Sequence, residues 1–155
     1  MSLIYTLIMK LFCLLALLLG LFTPTVLPIV AAVAPHAKED MEKGASLIIE
    51  GKVLSVTSKT QKSKIEKGLI ARDRVYTIQI KINQVEKGKA KVGDEISVSA
   101  WKPSTRIPPL PGPQGHGSIP AKGDLVKMYL LGDAKTYEPY MPNGISILKE
   151  AEPKK

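Results

Sequence analysis

The sequence predicts an all-β domain, a small antiparallel barrel of five or six strands, preceded by an apolar N-terminal helix of the signal-peptide type. Two observations predict the barrel. β-branched residues alternate with polar residues along several short segments, and turn residues separate those segments. No segment beyond the leader shows the apolar spacing of an amphipathic helix. A closed barrel is the economical arrangement, because open sheet edges invite aggregation.

Residues 1–34 predict a signal peptide or an N-terminal anchor. Lys10 precedes an unbroken apolar run at 11–22, and the segment ends in small residues that suit a signal peptidase. Cleavage after Ala34 satisfies the A-x-A pattern but leaves Pro35 at the next position, so cleavage after Ala32 competes with it.

An uncleaved membrane anchor is the alternative. Residues 11–34 are long enough to cross a bilayer at a rise of about 1.5 Å per residue, although two prolines interrupt them. Lipidation is discounted, because the bulky Phe12 precedes Cys13. Both remaining readings place the domain outside the cytoplasm, as a secreted, periplasmic or envelope protein.

The first strands of the domain follow a polar lead-in at 35–44, which we expect to be flexible. Ala45 to Ser58 predicts a strand, and the internal Gly51 predicts a bulge or bend. Residues 57–73 are polar and basic and predict a loop or a long hairpin end. Arg74 to Glu86 is the clearest strand, because isoleucines alternate with polar residues along it.

The later strands are separated by glycine turns. Residues 87–94 form a turn before a strand at 95–101, and 125–131 forms the next strand. A last ribbon is predicted at 136–140 and 144–148, around turn residues. The barrel domain therefore spans 45–149 and is followed by a polar tail at 150–155. The residues predicted to point inward are Tyr76, Ile78, Ile80, Ile82, Ile96, Val98, Ala100, Val126, Met128 and Leu130.

Cysteine and charge counts exclude several classes of protein. The only cysteine, Cys13, lies in the leader, which excludes a disulfide scaffold, a thiolate zinc site and a cysteine nucleophile in the domain. The absence of a second long apolar run excludes a polytopic membrane protein. Lys and Arg number 22 against 14 Asp and Glu, a net charge of +8.

The basic charge invites a nucleic-acid interpretation, which we do not favour. The leader exports the chain, the lysines are interleaved with acidic residues, and aromatic residues make up only 5%. A solvated surface is the ordinary explanation. Attraction to anionic envelope polymers or lipid headgroups is the alternative.

The most unusual segment lies between the third and fourth predicted strands. Residues 102–122 hold six prolines and three glycines, which excludes a helix or a central strand. The segment predicts either a binding loop on a rigid barrel or a structural crossover that covers one barrel end. The candidate partner-binding residues in and beside it are Trp101, Arg106, Pro109, Pro111, His116 and Tyr129.

Three of these candidates carry open alternatives. Trp101 and Tyr129 lie on the nominally outward strand face, where they form an aromatic patch or are covered by the Pro-rich loop. His116 is flanked by glycines, and nothing supplies the three or four ligands that a metal site needs. Packing or hydrogen bonding is its ordinary role.

No catalytic constellation is visible in the sequence. It holds no G-x-S-x-G elbow, phosphate-binding glycine loop or H-E-x-x-H motif. Asp94 and Asp124 each follow a turn glycine, where aspartate is favoured for local hydrogen bonding. We therefore expect no enzyme, no catalytic residue, no cofactor and no metal.

The order of these features resembles the OB-fold domains of the netrin-like and tissue-inhibitor-of-metalloproteinases superfamily. The matching segments lie between residues 45 and 131, namely Ile48-Ile49-Glu50-Gly51-Lys52-Val53, Val85-Glu86-Lys87-Gly88, Val92-Gly93-Asp94-Glu95-Ile96-Ser97-Val98 and Gly123-Asp124. The resemblance implies an OB-like barrel. It does not imply protease inhibition, because those inhibitors use an N-terminal cysteine that the mature chain lacks. The chain is also similar to small exported bacterial proteins.

The sequence therefore predicts an exported, non-enzymatic β-barrel that binds an unknown protein or an anionic envelope polymer. It contacts a membrane only if the N-terminal segment stays uncleaved. One alternative is a structural envelope domain that is tethered by the leader and attracted to anionic surfaces. A second alternative is a small hydrolase with an unrecognised carboxylate site.

Overall fold

The structure is a computed structural model that describes residues 34–64, 70–133 and 136–151. Residues 1–33 of the predicted leader and 152–155 of the predicted tail lie outside the described residues. The prediction of a mostly β domain is confirmed within those ranges. The elements are α1 (Lys38–Gly44), β1 (Leu47–Lys62), β2 (Ile70–Lys87), β3 (Glu95–Ile107), β4 (Leu125–Asp133), β5 (Thr136–Pro139) and β6 (Ile145–Lys149).

The six strands form one sheet in the order β1-β2-β3-β5-β4-β6, and β1 also pairs with β4. Five strands therefore form a ring. The contact between β3 and β5 is parallel, at Val98 and Tyr137, whereas the other pairs are antiparallel. The prediction of a purely antiparallel arrangement is wrong at this pair. Strand direction cannot alternate around a ring of five, so one neighbouring pair must be parallel.

The predicted final ribbon is also wrong, although both of its strands exist. β5 pairs with residues 130–133 of β4 and β6 pairs with residues 125–128, so both lie end to end along one edge of β4. The turn between them loops out beside Tyr129. The Tyr129 amide donates to the Gly144 carbonyl at 2.9 Å, and the Tyr140 amide donates to the Tyr129 carbonyl at 3.0 Å.

The predicted inward faces form the core inside the ring. The alternating isoleucines of β2 are at most 1% exposed, as expected for a strand with one buried face. Gly51 lies at a register shift between β1 and β2, so the predicted bulge is confirmed. A Cβ there would meet the Ile80 Cγ2 atom at 2.6 Å. The buried core residues of the other strands are Leu47, Ile49, Val53, Val98, Ala100, Val126, Met128, Leu130 and Ile145.

Three strands extend beyond this core as a β arm. β1 and β2 pair as far as Lys62 and Arg72, so the described residues of 57–73 form two paired strands, as in the long hairpin of the prediction. β3 continues beside them to Ile107 and includes Pro103, although the Pro-rich segment was expected to contain no central strand. Proline is tolerated there because β3 pairs with β5 only at Val98, which leaves this part of β3 at a sheet edge.

The turns before β3 and β4 have the same hydrogen-bond pattern, as their sequences predict. The Asp94 carboxylate accepts from the Lys91 amide at 2.8 Å, and the Asp124 carboxylate accepts from the Ala121 amide at 2.7 Å. Asp124 also accepts from the Ala151 amide at 2.8 Å. Both aspartates therefore act in local structure.

Candidate functional site

The candidate site is the loop at 108–124, which leaves the end of β3 and returns to β4. Arg106 lies on β3 just before the loop, and its guanidinium forms an ion pair with Asp73 on β2. The Nε atom donates to the Gln114 side chain at 3.0 Å, and Nη1 donates to the Arg72 carbonyl at 2.6 Å. The Arg106 side chain is only 9% exposed. Arg106 therefore anchors the loop to the arm instead of facing a partner.

His116 fixes the middle of the loop. Its Nδ1 atom accepts from the Trp101 amide at 3.0 Å, and Nε2 lies 3.1 Å from the Pro139 carbonyl. The tautomer with the proton on Nε2 satisfies both contacts. The residue is 3% exposed, and its own amide donates to the Trp101 carbonyl at 2.9 Å. The ring therefore joins the loop to β3 and β5.

The backbone of the loop lies directly against Trp101. Gly115 has a φ of +72°, and a Cβ there would lie 2.5 Å from the Trp101 carbonyl oxygen. Glycine is required on both counts, because an added methyl group is strained in this conformation and has no space. Trp101 is half-buried and also lines a groove beside the arm, so the loop covers it only in part.

Tyr129 is covered from the other side, by a helix that the sequence did not reveal. α1 packs its one buried residue, Met41, into a second cluster with Ala45, Ile48 and Tyr129. Tyr129 is 4% exposed, so it does not form an outward aromatic patch. The lead-in expected to be flexible contains this helix. Seven residues with one apolar anchor carry too little periodicity to be recognised.

Lys87 holds the end of α1. Its ammonium group donates to the carbonyls of Glu42 and Lys43 at 2.9 and 2.8 Å. A cation at the C-terminal end of a helix satisfies carbonyls that have no partner within the helix. The position of α1 is therefore coupled to the end of β2.

The tip of the loop remains open to solvent. Pro109 and Pro111 are exposed, and Ile107 just before them is 56% exposed. Of the six candidates, the structure thus brings Trp101, Arg106 and His116 together as the base of the loop and leaves the two prolines at its surface. For Arg106, the partner that buries it is Asp73, which lies 33 positions away, so no local pattern in the sequence indicates it.

A groove of about 400 Å³ lies beside this base, between the arm and β5. Asp73 and Glu138 both line it. The Asp73 carboxylate is paired with Arg106, so the groove does not contain two unpaired carboxylates. Within residues 34–64, 70–133 and 136–151, no group of three His, Cys, Asp or Glu side chains is placed to hold a metal ion.

Comparisons with known proteins give no relative from which a function could be inferred. No protein-family model, curated protein or solved structure matches the chain. In the part of the chain that the structure describes, no helix has the length and apolar content needed to span a bilayer.

Proposed function

We propose that the protein is an exported, non-enzymatic binding module that contacts another protein through the tip of the 108–124 loop. One observation carries the proposal: the loop is held at its base by Arg106 and His116, while Pro109 and Pro111 stay exposed. A preordered apolar tip loses little conformational entropy on binding, which favours affinity. Contiguous exposed apolar surface, more than single exposed side chains, marks interaction sites.

The proposal that the protein is not an enzyme is supported by the contacts that its buried polar groups make. Asp73, His116 and Asp124 are each 7% exposed or less, and each is engaged in hydrogen bonds or an ion pair that orders a loop or turn. Groups in such roles are poor candidates for proton transfer to a substrate.

Site-directed photo-crosslinking in the native host tests the binding proposal. We expect p-benzoylphenylalanine in place of Pro111, or of Pro109, to capture one common protein. The control is the same residue at Val92, which is 67% exposed but lies in the turn at the other end of the β2–β3 ladder.

The captured protein must also bind the purified full chain. A chain with Pro109→Ser and Pro111→Ser is expected to lose that binding while keeping its thermal midpoint. Identical products from the loop and from Val92, or full binding by the double variant, would contradict the proposal.

We also propose that residues 1–34 direct export and that the ring of five strands is an OB-like barrel. The first proposal rests on the apolar run at 11–22 and the small residues after it. The mass of the protein isolated from its host separates a cleaved signal from an anchor.

The barrel is supported by the pairing of β1 with both β2 and β4. Proton–proton contacts between Val98 and Tyr137 in NMR spectra test its closure.

A further inference from the structure

Positive charge is concentrated on the β arm. The arm comprises residues 57–64, which are the last part of β1 and the two residues after it, together with 70–76 of β2 and 101–107 of β3. These residues carry seven cationic side chains and one carboxylate, a net charge of +6. The other described residues carry ten lysines and eleven carboxylates, a net charge of −1. The lysines that are spread along the sequence are therefore gathered by the fold at one end of the molecule.

Four of these cations share one face of the arm. Arg72 pairs with Lys62 on β1, and Arg74 pairs with Lys102 on β3. Residues directly opposite each other on paired strands point to the same side, as do residues two apart on one strand. We call these four residues the basic face. Among the described residues, no carboxylate forms an ion pair with any of them.

Two apolar side chains continue the basic face to the end of the arm. Ile70 on β2 pairs with Ile107 on β3, and alternation places Ile70 on the same side as Arg72. Ile70 is 61% exposed and Ile107 is 56% exposed, because the arm extends beyond the core. At the last described residues of the arm, an apolar pair thus lies next to a group of cations.

Part of the opposite face of the arm is already in use. Asp73 and Arg106 point to that side, where they form the buried ion pair at the base of the 108–124 loop. The basic face stays exposed at Lys62, Arg72 and Arg74, so it can meet another surface.

We propose that the basic face lies on an anionic phospholipid surface, with Ile70 and Ile107 entering the headgroup region. Surfaces that combine cations with exposed apolar side chains suit a membrane interface, where anionic headgroups attract the charge and the acyl boundary accepts the apolar groups. An anionic polymer would satisfy the cations but would leave both isoleucines in water. The proposal goes beyond the binding function of the loop, since it uses the other face of the arm.

Lysine footprinting of the full chain provides the first test. The chain is incubated with vesicles of phosphatidylcholine alone or of phosphatidylcholine with phosphatidylglycerol, and amine acetylation is followed by mass spectrometry. We expect Lys62 and Lys102 to be acetylated about fivefold more slowly on the anionic vesicles. Lys89 and Lys91 lie at the other end of the β2–β3 ladder and are expected to react at the same rate on both. This internal comparison removes any contribution of the leader to vesicle binding.

Matched variants provide the second test. Arg72→Gln with Arg74→Gln is expected to lower the ratio of binding to anionic over neutral vesicles by roughly tenfold. Lys89→Gln with Lys91→Gln removes the same charge from exposed positions and is expected to leave the ratio unchanged. Ile70→Ser with Ile107→Ser is expected to weaken binding to anionic vesicles about fivefold, and Val92→Ser to leave it unchanged.

Three results would overturn the proposal. The first is equal acetylation of Lys62 and Lys102 on the two kinds of vesicle. The second is an equal loss of binding in the two charge variants, which would mean that net charge alone acts. The third is full binding by the isoleucine variant, which would mean that Ile70 and Ile107 do not enter the headgroup region. Loop crosslinking is unaffected by any of these outcomes, so the two proposals fail separately.

Discussion

Arg106 and Asp73 form an ion pair that is almost completely buried, with side chains only 9% and 10% exposed. The pair joins β3 to β2, and the remaining donors of Arg106 hold the Gln114 side chain and the Arg72 carbonyl. One guanidinium therefore stabilises both the arm and the start of the 108–124 loop.

Removing one partner of this pair is expected to be costly. Asp73→Ala leaves a buried cation without its carboxylate, and we expect the free energy of unfolding to fall by about 3–5 kcal/mol. Urea denaturation measures the change. Glu42→Ala breaks the exposed Lys38–Glu42 pair and is the control, with an expected loss below about 1 kcal/mol. Equal losses in the two variants would show that the Asp73 pair does not stabilise the fold.

The two histidines offer a second matched comparison. His116→Ala leaves the Trp101 amide and the Pro139 carbonyl without their partner, and we expect a loss of about 1–3 kcal/mol. In His36→Ala the backbone bonds to Asn143 remain, and only an edge contact with Tyr140 is lost. Thermal unfolding should show a lower midpoint for the first variant alone. A similar midpoint in both would contradict a structural role for His116.

Two glycines separate backbone strain from lack of space. Gly93→Ala places a methyl group at a φ of +93° but in open space, so we expect a loss of about 1 kcal/mol. Gly115→Ala adds a clash with the Trp101 carbonyl to the same kind of strain, and its loss should be clearly larger. Chemical denaturation of both variants measures the difference. If Gly115→Ala is as stable as Gly93→Ala, the loop does not pack against Trp101.

Lys127 gives a prediction for alkaline pH. The hydrogen bond that Lys127 donates to the Glu86 carboxylate raises the pKa of Lys127 above its ordinary value of 10.5, with the charges of Glu86, Tyr129 and Glu50 adding to the effect and burial opposing it. Because the pKa of Lys127 is higher in the folded chain than in the unfolded chain, the stabilisation that Lys127 provides is complete below pH 10.5. It is lost as the pH rises through the pKa of the folded chain. The stability difference between the native chain and Lys127→Met should therefore shrink above that pH.

The control for this prediction is Lys52→Met, at an exposed position on β1. Denaturant titration at each pH measures both variants, and the Lys52→Met difference is subtracted as the effect of removing an exposed lysine from a strand. A difference for Lys127→Met that grows with pH would reverse the assigned sign.

Local patterns in the sequence predicted much of the sheet. The alternation at Ile78, Ile80 and Ile82 predicted the buried face of β2, because a strand exposes its two faces at a period of two. Gly51 predicted a bulge, and the glycine–aspartate turns predicted two local hydrogen bonds. Each signal acts within a few residues of the chain.

The sequence by itself thus determined the strands, their inward faces and the turns, since these follow from side-chain alternation and local hydrogen bonding. Tertiary structure alone decided which candidates are buried. Arg106 meets Asp73 across 33 positions of the chain, and Tyr129 lies beneath a helix that begins at Lys38. It also gathered scattered cations onto one face of the arm. Such contacts depend on strand register and ring closure, which no local pattern encodes.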